Sequence, residues 1–272
     1  MCRWIAYSGQ PLYIDQLVLK PEHSLIEQSR DARKAVHTTN ADGFGVGWYG
    51  DRPTPGVYRD IHPAWNDPNL HDLVEQIQSR LFLAHIRAAT GTPVQKTNCH
   101  PFRHGRWLFV HNGLINEFPA LKRDLVMKVA PERYPNIEGS TDSEIMFHLA
   151  LTFGLDDDPL RAIEKMAGFV EHVAREHGVT DALQMTLGIS DGHRLIGVRY
   201  STERSSRSLF LSRDTEAMCE LHPQGQCSSG RSLAIVSEPL SSLTACWQEI
   251  PESTAVVIES GEVRTVDFAP SD

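Results

Sequence analysis

The sequence contains no apolar run that approaches the roughly 18–20 residues needed to cross a membrane, so we expect no membrane-spanning segment. Residues 1–17 also lack the apolar core of a secretory signal peptide. Basic residues are in the minority, because 26 Lys and Arg stand against 35 Asp and Glu, for a formal net charge of −9. A negative surface repels nucleic-acid phosphates, so we expect no nucleic-acid partner.

Cysteine is scarce and irregularly spaced. The five Cys are an odd number without a repeating spacing, which excludes a disulfide framework. Free thiols are typical of a reducing compartment, and we therefore expect a cytoplasmic protein. The remaining composition is ordinary, since 40% of the 272 residues are hydrophobic and 8% are aromatic. These proportions exclude a disordered or low-complexity chain.

Local patterns predict strands near both ends of the chain and several helices between them. The apolar or Gly-interrupted runs that indicate strands are 3–7, 42–50, 81–90 and 106–115. The segments with helical periodicity are 25–35, 71–79, 118–129 and 159–177. Thr141 and Glu144 have the spacing of a capping box that opens one more helix. After residue 182, short β-rich segments follow one another. Because no β-α alternation repeats, two packed sheets covered by helices fit better than a doubly wound sheet.

The second residue is a candidate nucleophile. We expect removal of the initiator Met, which is usual before a small residue and would make Cys2 the first residue. Its thiol has an ordinary pKa near 8.5, and a terminal α-amine has one near 7.7–8.0, so both exchange protons close to neutral pH. An amine that serves as base for a neighbouring thiol is a known way to activate a nucleophile. The alternative is that Cys2 is merely a small residue in an edge strand.

Other residues could complete acyl-transfer chemistry on an amino-acid substrate. Asn112 and Gly113 can offer a side-chain and a backbone N–H to an oxyanion, although Asn-Gly is also the favoured hairpin turn. Arg87 lies at the polar end of an apolar run, where it can bind a carboxylate through two hydrogen bonds. Asp142, at a helix start, can hold an ammonium. The last two could instead be an ordinary strand-end charge and a first-turn carboxylate.

These residues belong to an ordered set of motifs. The set consists of Cys2, HIRAAT (85–90), NCHPF (98–102), HNG (111–113) and GSTDSE (139–144). Together the motifs resemble the class II glutamine amidotransferases, which are N-terminal-nucleophile hydrolases. Three further segments are HSLIEQS (23–29), DGFGVGWY (42–49) and PAWNDPNL (63–70). They make the chain most similar to a stand-alone branch that cleaves γ-glutamyl amides, including hydrolases of ergothioneine biosynthesis and fungal glutathione degradation.

The resemblance implies a fold, a reaction and residue roles. The implied fold class is α+β, a four-layer αββα sandwich formed by residues 2–272 as a single domain. The implied catalytic residues are Cys2, Asn112 and Gly113, and the implied substrate-binding residues are Arg87, Thr90 and Asp142. Cys2 would attack a γ-glutamyl carbonyl, with its freed amine as base, and form a thioester. His100 would organise a loop. This chemistry requires no cofactor and no metal.

The pattern also departs from that of the synthases that use this domain. Ala88 and Gly91 stand where those enzymes typically have an aromatic residue and a His. A more open pocket would admit a small-molecule γ-glutamyl substrate larger than glutamine. The implied sandwich uses about 270 residues, so we expect no synthase domain in this sequence. Either ammonia passes to a separate protein subunit, or the released amine is the product of interest.

Two alternatives stay open. Cys219, His222 and Cys227 have a spacing similar to that of zinc ligands, but a fourth ligand is missing. The chain could also be a non-catalytic or partner-dependent interaction subunit that retains the fold. Retention of Met1 would favour a non-catalytic subunit, because the α-amine of Cys2 would then be blocked as an amide and could not act as a base.

Overall fold

The computed structural model describes residues 2–32, 39–89, 91–213 and 231–271. The described helices are α1 (Asp15–Val18), α2 (Leu25–Arg30), α3 (Pro68–Gln76), α4 (Phe118–Lys128), α5 (Asp142–Thr152) and α6 (Pro159–Glu176). The described strands are β1 (Arg3–Tyr13), β2 (Phe44–Trp48), β3 (Gly56–Asp60), β4 (Gln78–Ile86), β5 (Phe102–His104), β6 (Trp107–Ile115), β7 (Leu183–Ser190), β8 (Arg194–Ser201), β9 (Phe210–Ser212), β10 (Leu233–Val236), β11 (Trp247–Glu249), β12 (Thr254–Glu259) and β13 (Glu262–Asp267).

The strands form two antiparallel sheets. The first has the order β11-β9-β10-β1-β4-β2-β3, and the second has the order β13-β12-β8-β7-β6-β5. β1 is central in the first sheet and pairs with β10 and β4. β6 pairs with β5 and β7 in the second.

Side-chain alternation along the strands divides the core into three layers. On β1, Trp4 and Ala6 pack between the two sheets, whereas Ile5 and Tyr7 pack under the helices α1 to α3. On the second sheet, Phe109 faces α4 to α6. The architecture is therefore helix, sheet, sheet, helix, and the predicted four-layer αββα sandwich is confirmed.

Both faces of the central strands are covered, which explains their nearly continuous apolar runs. β6 spans the predicted segment to its last residue, and β7 coincides with the first β-rich segment after residue 182. No helix among the described residues is long and apolar enough to span a membrane.

Several predicted boundaries are wrong. The strand predicted over 81–90 begins earlier and ends at Ile86 as β4. The helix predicted over 71–79 begins at Pro68, because the Asp67 carboxylate accepts a hydrogen bond from the Leu70 N–H at 2.9 Å and proline suits a first helical position. The helix predicted over 25–35 ends at Arg30, and residues 33–35 lie outside the described part of the chain.

The interpretation of the Asn-Gly dipeptide as a hairpin turn is also wrong. Asn112 and Gly113 lie inside β6, where they pair with Thr186 and Met185 of β7. Long-range pairing with β7 overrides the local turn preference, and the strand continues to Ile115. The dipeptide is thus part of a sheet and not a connection between two strands.

Candidate active site

Cys2 lies just before β1, at one end of the central strand of the first sheet. It follows the alternation of Trp4 and Ala6, so its side chain points into the layer between the sheets. The Ala88 N–H donates to Cys2 Sγ at 3.4 Å, and the thiol donates to the Ala88 carbonyl at 3.5 Å. The loop that follows β4 therefore holds the sulfur at the edge of a cleft.

The environment of this sulfur favours the neutral thiol. Burial raises the pKa of the Cys2 thiol, and the Ala88 N–H and the charges of Arg87 and Arg3 offset only part of that increase. A thiol with a raised pKa stays protonated near neutral pH, whereas the thiolate is the nucleophile. The sulfur needs a base at hand if it is to react.

Asn112 approaches this region from the second sheet. It shares a face of β6 with Leu108 and Val110, which pack between the sheets. Trp4 Nε1 donates to Thr186 Oγ1 at 3.2 Å, and Thr186 Oγ1 donates to the Asn112 carbonyl at 3.3 Å. This chain of hydrogen bonds joins β1 to β6 beside the nucleophile candidate. The side-chain amide of Asn112 has no protein hydrogen-bond partner among the described residues.

Only glycine fits at position 113. A Cβ atom placed there would overlap the carbonyl oxygen of Gln184 and would lie 2.7 Å from His111 Nε2. The close approach of β7 therefore explains the glycine of the HNG motif on packing grounds. The same approach leaves the backbone at this position uncovered by any side chain of its own.

Arg87 is a buried cation whose partners are neutral oxygens. Only 3% of its surface is exposed. Its guanidinium donates to the Asp42 carbonyl at 3.2 Å, to Thr92 Oγ1 at 2.7 Å and to the Pro93 carbonyl at 3.1 Å. Within the described ranges no carboxylate forms an ion pair with it. A buried charge without a counter-charge is costly, so the site is suited to an anionic ligand.

Asp142 begins α5 and connects this helix to the end of β6. Its carboxylate accepts from the Ile115 N–H at 2.9 Å and from the Ser143 N–H at 2.7 Å. Thr141 caps the helix as predicted, by accepting from the Glu144 N–H at 3.2 Å. The other half of the predicted capping box is absent from these contacts, because the Glu144 carboxylate accepts from the preceding loop instead.

A cleft of about 900 Å³ brings most of the predicted site residues together. The predicted residues that line it are Cys2, Arg87, Asn112, Gly113 and Asp142. Thr90 lies outside the described residues, and its neighbours Ala89 and Gly91 line the cleft. The roles assigned to these residues remain predictions, but their convergence from both sheets and from α5 was not imposed by proximity in sequence.

Three buried histidines lie at the cleft, which His100 and His111 line and His85 does not. The rings of His85 and His100 are 4.2 Å apart, and His85 Nε2 donates to the His111 carbonyl at 3.1 Å. Burial lowers the pKa of His85 to about 3, and it also lowers the pKa of His100 and of His111. All three rings are therefore neutral near pH 7, and they add no positive charge beside Arg87.

The metal alternative finds no support in the described part of the chain. No group of three or more His, Cys, Asp or Glu is placed there to hold a metal ion. The residues that suggested zinc, Cys219, His222 and Cys227, lie outside the described ranges.

Two residues of the cleft were missed by sequence reasoning. Asp42 accepts from the Ala89 N–H at 2.8 Å and uses its carbonyl to hold Arg87, so it fixes the loop that carries both residues. Its place at the start of the DGFGVGWY motif was the available signal. Arg207 also lines the cleft, and no local pattern around it indicated this.

The four-layer αββα sandwich is the fold expected of the N-terminal-nucleophile amidotransferases, and Cys2 lies directly before its central strand. The chain belongs to the class II glutamine amidotransferases, because the model of that family, described as "Glutamine amidotransferases class-II", matches residues 23–272.

Individual relatives agree with this family. "Probable glutamine amidotransferase DUG3" of Saccharomyces cerevisiae is 30% identical over 95% of this chain and 82% of that protein. "Gamma-glutamyl-hercynylcysteine sulfoxide hydrolase" of Mycolicibacterium smegmatis is 37% identical over 43% of this chain and 52% of that protein.

Two solved structures are also similar to this chain. A "glutamine aminotransferase class-II domain protein" of Silicibacter pomeroyi superposes with a TM-score of 0.77 at 33% identity, covering 99% of this chain and 100% of that one. The glutamine phosphoribosylpyrophosphate amidotransferase of Bacillus subtilis superposes with a TM-score of 0.64 at 15% identity, over 99% of this chain and 50% of that one, which shows the fold alone.

The buried histidines predict acid sensitivity. Burial lowers the folded-state pKa of His85 to about 3 and that of His148 to about 4, below the unfolded value near 6.5. The unfolded chain therefore binds more protons, and the stability is full above about pH 6.5 and decreases as the pH falls. Each such group contributes about 1.4 kcal/mol per pH unit in that window. We expect the urea midpoint to fall markedly between pH 7 and pH 5.

Two variants test the source of this sensitivity. His148→Gln removes one buried titrating group and should flatten the dependence by about one proton. His62→Gln changes an exposed histidine and should leave the slope as it is. A wild-type midpoint that does not change between pH 7 and pH 5 would contradict the prediction.

Proposed function

We propose that this chain hydrolyses the γ-glutamyl amide bond of a small molecule, with Cys2 as the nucleophile. The observation that supports this most strongly is one cleft lined by a thiol, a free side-chain amide and a guanidinium without a carboxylate partner among the described residues. We propose that residues 2–272 act as a single cytoplasmic domain.

The amino-acid end of the substrate binds at two charges. Arg87 binds the α-carboxylate, because its planar guanidinium can form two parallel charge-assisted hydrogen bonds. Asp142 binds the α-ammonium, and its carboxylate is already oriented by the Ile115 and Ser143 N–H groups. Thr90 lines the same pocket in this proposal. Head-group binding delivers the γ-carbonyl to the sulfur.

The reaction then proceeds in two acyl-transfer steps. After removal of Met1, the α-amine of Cys2 accepts the thiol proton, through a water molecule, as the sulfur attacks the γ-carbonyl. The Asn112 side-chain N–H and the Gly113 N–H stabilise the oxyanion. Collapse breaks the C–N bond, and the leaving amine takes the proton. Water then attacks the γ-glutamyl thioester and releases glutamate.

The substrate is larger than glutamine in this proposal. Ala88 and Gly91 line the cleft and present little side-chain volume. The volume of about 900 Å³ leaves space beyond a γ-glutamyl group. The released amine either leaves the cleft or passes to a separate protein subunit, and glutamate release is therefore measured first on the chain alone.

The first prediction concerns the nucleophile. Cys2→Ala should abolish glutamate release from γ-glutamyl compounds, while γ-glutamyl ligands still bind, because the head-group residues are intact. Glutamate release and calorimetric binding are the measurements, and intact mass first establishes that Met1 is absent. Cys246→Ala is the matched control, since it removes a half-buried thiol that does not line the cleft. Near-normal turnover of Cys2→Ala would exclude Cys2 as nucleophile.

The second prediction concerns the carboxylate site. Arg87→Lys should raise the KM by about ten-fold or more with a smaller effect on kcat, because a point charge cannot reproduce the planar fork. Steady-state kinetics with a γ-glutamyl substrate measure both constants. Arg103→Lys, an exposed Arg on β5 outside the cleft, should leave the KM unchanged. An unchanged KM for Arg87→Lys would remove Arg87 from the head-group site.

A further inference from the structure

A buried charge network lies behind the nucleophile candidate and outside the cleft. Arg3 and Glu238 are 3% and 1% exposed. Arg3 Nε and Nη2 donate to Glu238 Oε1 at 2.7 and 2.5 Å. The third nitrogen, Arg3 Nη1, donates to the carbonyl oxygen of Cys2 at 2.8 Å. The guanidinium thus connects a buried carboxylate to the backbone of the residue that carries the sulfur.

The network continues into the HSLIEQS motif, which the proposed function leaves without a role. His23 Nε2 donates to Glu238 Oε2 at 3.0 Å, so both carboxylate oxygens are engaged. Gln28 Nε2 donates to the His23 carbonyl at 3.0 Å and fixes the backbone of the histidine. Neither His23 nor Gln28 lines the cleft. The motif is instead connected to the Cys2 backbone through Glu238 and Arg3.

The position of Cys2 in the chain explains why such a contact matters. The first ladder pair of β1 is Arg3 with Ile86, so Cys2 lies outside the sheet pairing. A residue at the end of a chain is held from one side only and is prone to fray. Fixing its carbonyl restricts the rotation that directs both the amine and the thiol. A displacement of about 1 Å can cost roughly 10²-fold in rate.

We propose that Arg3, Glu238 and His23 are positioning residues that hold the carbonyl of Cys2 and thereby aim its thiol and amine. This inference rests on the proposed function. None of the three lines the cleft, so they affect the chemical step and not substrate binding.

A pair of His23 variants provides the sharpest test. His23→Ala removes the donor to Glu238, whereas His23→Gln places an N–H near the position of Nε2. We expect His23→Ala to lower kcat by about ten-fold to 10²-fold with little change in KM, and His23→Gln to recover most of the loss. Glu238→Gln, which discharges the partner of Arg3, should lower kcat at least as much. If Glu238→Gln does not fold, the two His23 variants still test whether the network positions Cys2.

A second measurement is independent of turnover. The rate of Cys2 alkylation by iodoacetamide is measured by mass spectrometry, with Cys246 as internal reference. We expect this rate to differ from wild type in His23→Ala and to return towards the wild-type rate in His23→Gln. Asp191→Asn is the matched control, because it removes the charge of another buried carboxylate, which pairs with Arg194 at 3.0 Å at the far end of β7. It should lower stability but leave kcat and Cys2 alkylation unchanged.

The outcomes separate the two hypotheses. A folded His23→Ala and Glu238→Gln with wild-type kcat and wild-type Cys2 alkylation would overturn the positioning network. A wild-type enzyme that releases no glutamate from any γ-glutamyl compound would overturn the proposed function instead, and the alkylation rates would still test the network.

An independent observation concerns a second guanidinium in the cleft. Arg207 is half-buried and lines the cleft together with Cys2. Both of its neighbours are anchored, since Ser206 Oγ donates to Glu252 Oε1 at 2.6 Å and Ser208 Oγ donates to the Ser237 carbonyl at 3.0 Å. The backbone at Arg207 is therefore held in place against the body of the protein.

The guanidinium of Arg207 has no partner of opposite charge in the described part of the chain. No carboxylate there forms an ion pair with it, and burial and the nearby charge of Arg3 both lower its pKa. A half-buried cation in a cleft, with no carboxylate of the described residues paired to it, is a favourable place for an anion. The proposed function assigns the α-carboxylate of the γ-glutamyl group to Arg87, which leaves Arg207 available for a different anion.

We infer that Arg207 is a specificity residue that binds an anionic group on the leaving amine. The inference rests on the proposed function and narrows the substrate class to γ-glutamyl amides whose amine carries a carboxylate or a similar anion. Glutamine, which releases ammonia, lacks such a group.

Two matched substrates test this inference. γ-Glutamylglycine and γ-glutamylglycinamide have nearly the same shape. Their leaving amines differ in charge, because glycine carries a carboxylate and glycinamide does not. Wild type should prefer the acid over the amide in kcat/KM by about ten-fold or more, and Arg207→Gln should remove most of that preference. Arg204→Gln, an exposed Arg of the same segment, should preserve it.

The result is decisive in either direction. Equal preference for the acid in wild type and in Arg207→Gln, or no preference in wild type, would overturn the assignment of Arg207. Hydrolysis of neither compound, together with no glutamate release from other γ-glutamyl compounds, would count against the proposed function itself.

Discussion

The contact between β1 and β7 across the middle layer is the constraint on which the site depends. Trp4 projects from β1 and packs over Gly188 of β7, where a Cβ atom would lie 2.9 Å from the indole ring. Its Nε1 reaches Thr186, which in turn holds the Asn112 carbonyl. Gly188 lets the indole of Trp4 approach β7 closely. The contact of Trp4 with Gly188 and Thr186 therefore sets the distance between the end of β1 and the Asn112 amide on β6. The cleft opens at that end.

The electrostatics of the cleft depend on which of its basic side chains are charged. Two guanidinium groups, on Arg87 and Arg207, line it without an ion-pair partner among the described residues. The buried His85 and His100 do not add to this charge, because desolvation keeps their rings neutral. The positive charge is therefore concentrated at two points, and not spread over the wall. Two such cations are suited to two anionic groups of one ligand.

The sequence could predict those parts of the fold and site that depend on local signals. The apolar run at 106–115 identified β6, a β-rich segment identified β7, and the ordered motifs identified five residues that line the cleft. The turn preference of Asn112 and Gly113 was misleading, because pairing with β7 is a long-range interaction that a local rule cannot include. The contact between Arg3 and Glu238 joins residues 235 positions apart, so no spacing could have indicated it.

The environment of Cys2 also bears on which group acts as base. Burial raises the pKa of the thiol, so in the proposed mechanism the sulfur must lose a proton to another group before it attacks. His100 and His111 line the cleft, but their lowered pKa makes them weak bases near pH 7. Asp142 directs its carboxylate to the Ile115 and Ser143 N–H groups. A terminal amine has an ordinary pKa near 7.7–8.0, which suits proton transfer at neutral pH. The surroundings that make the sulfur a poor nucleophile on its own thus make removal of Met1 the step on which activity would depend.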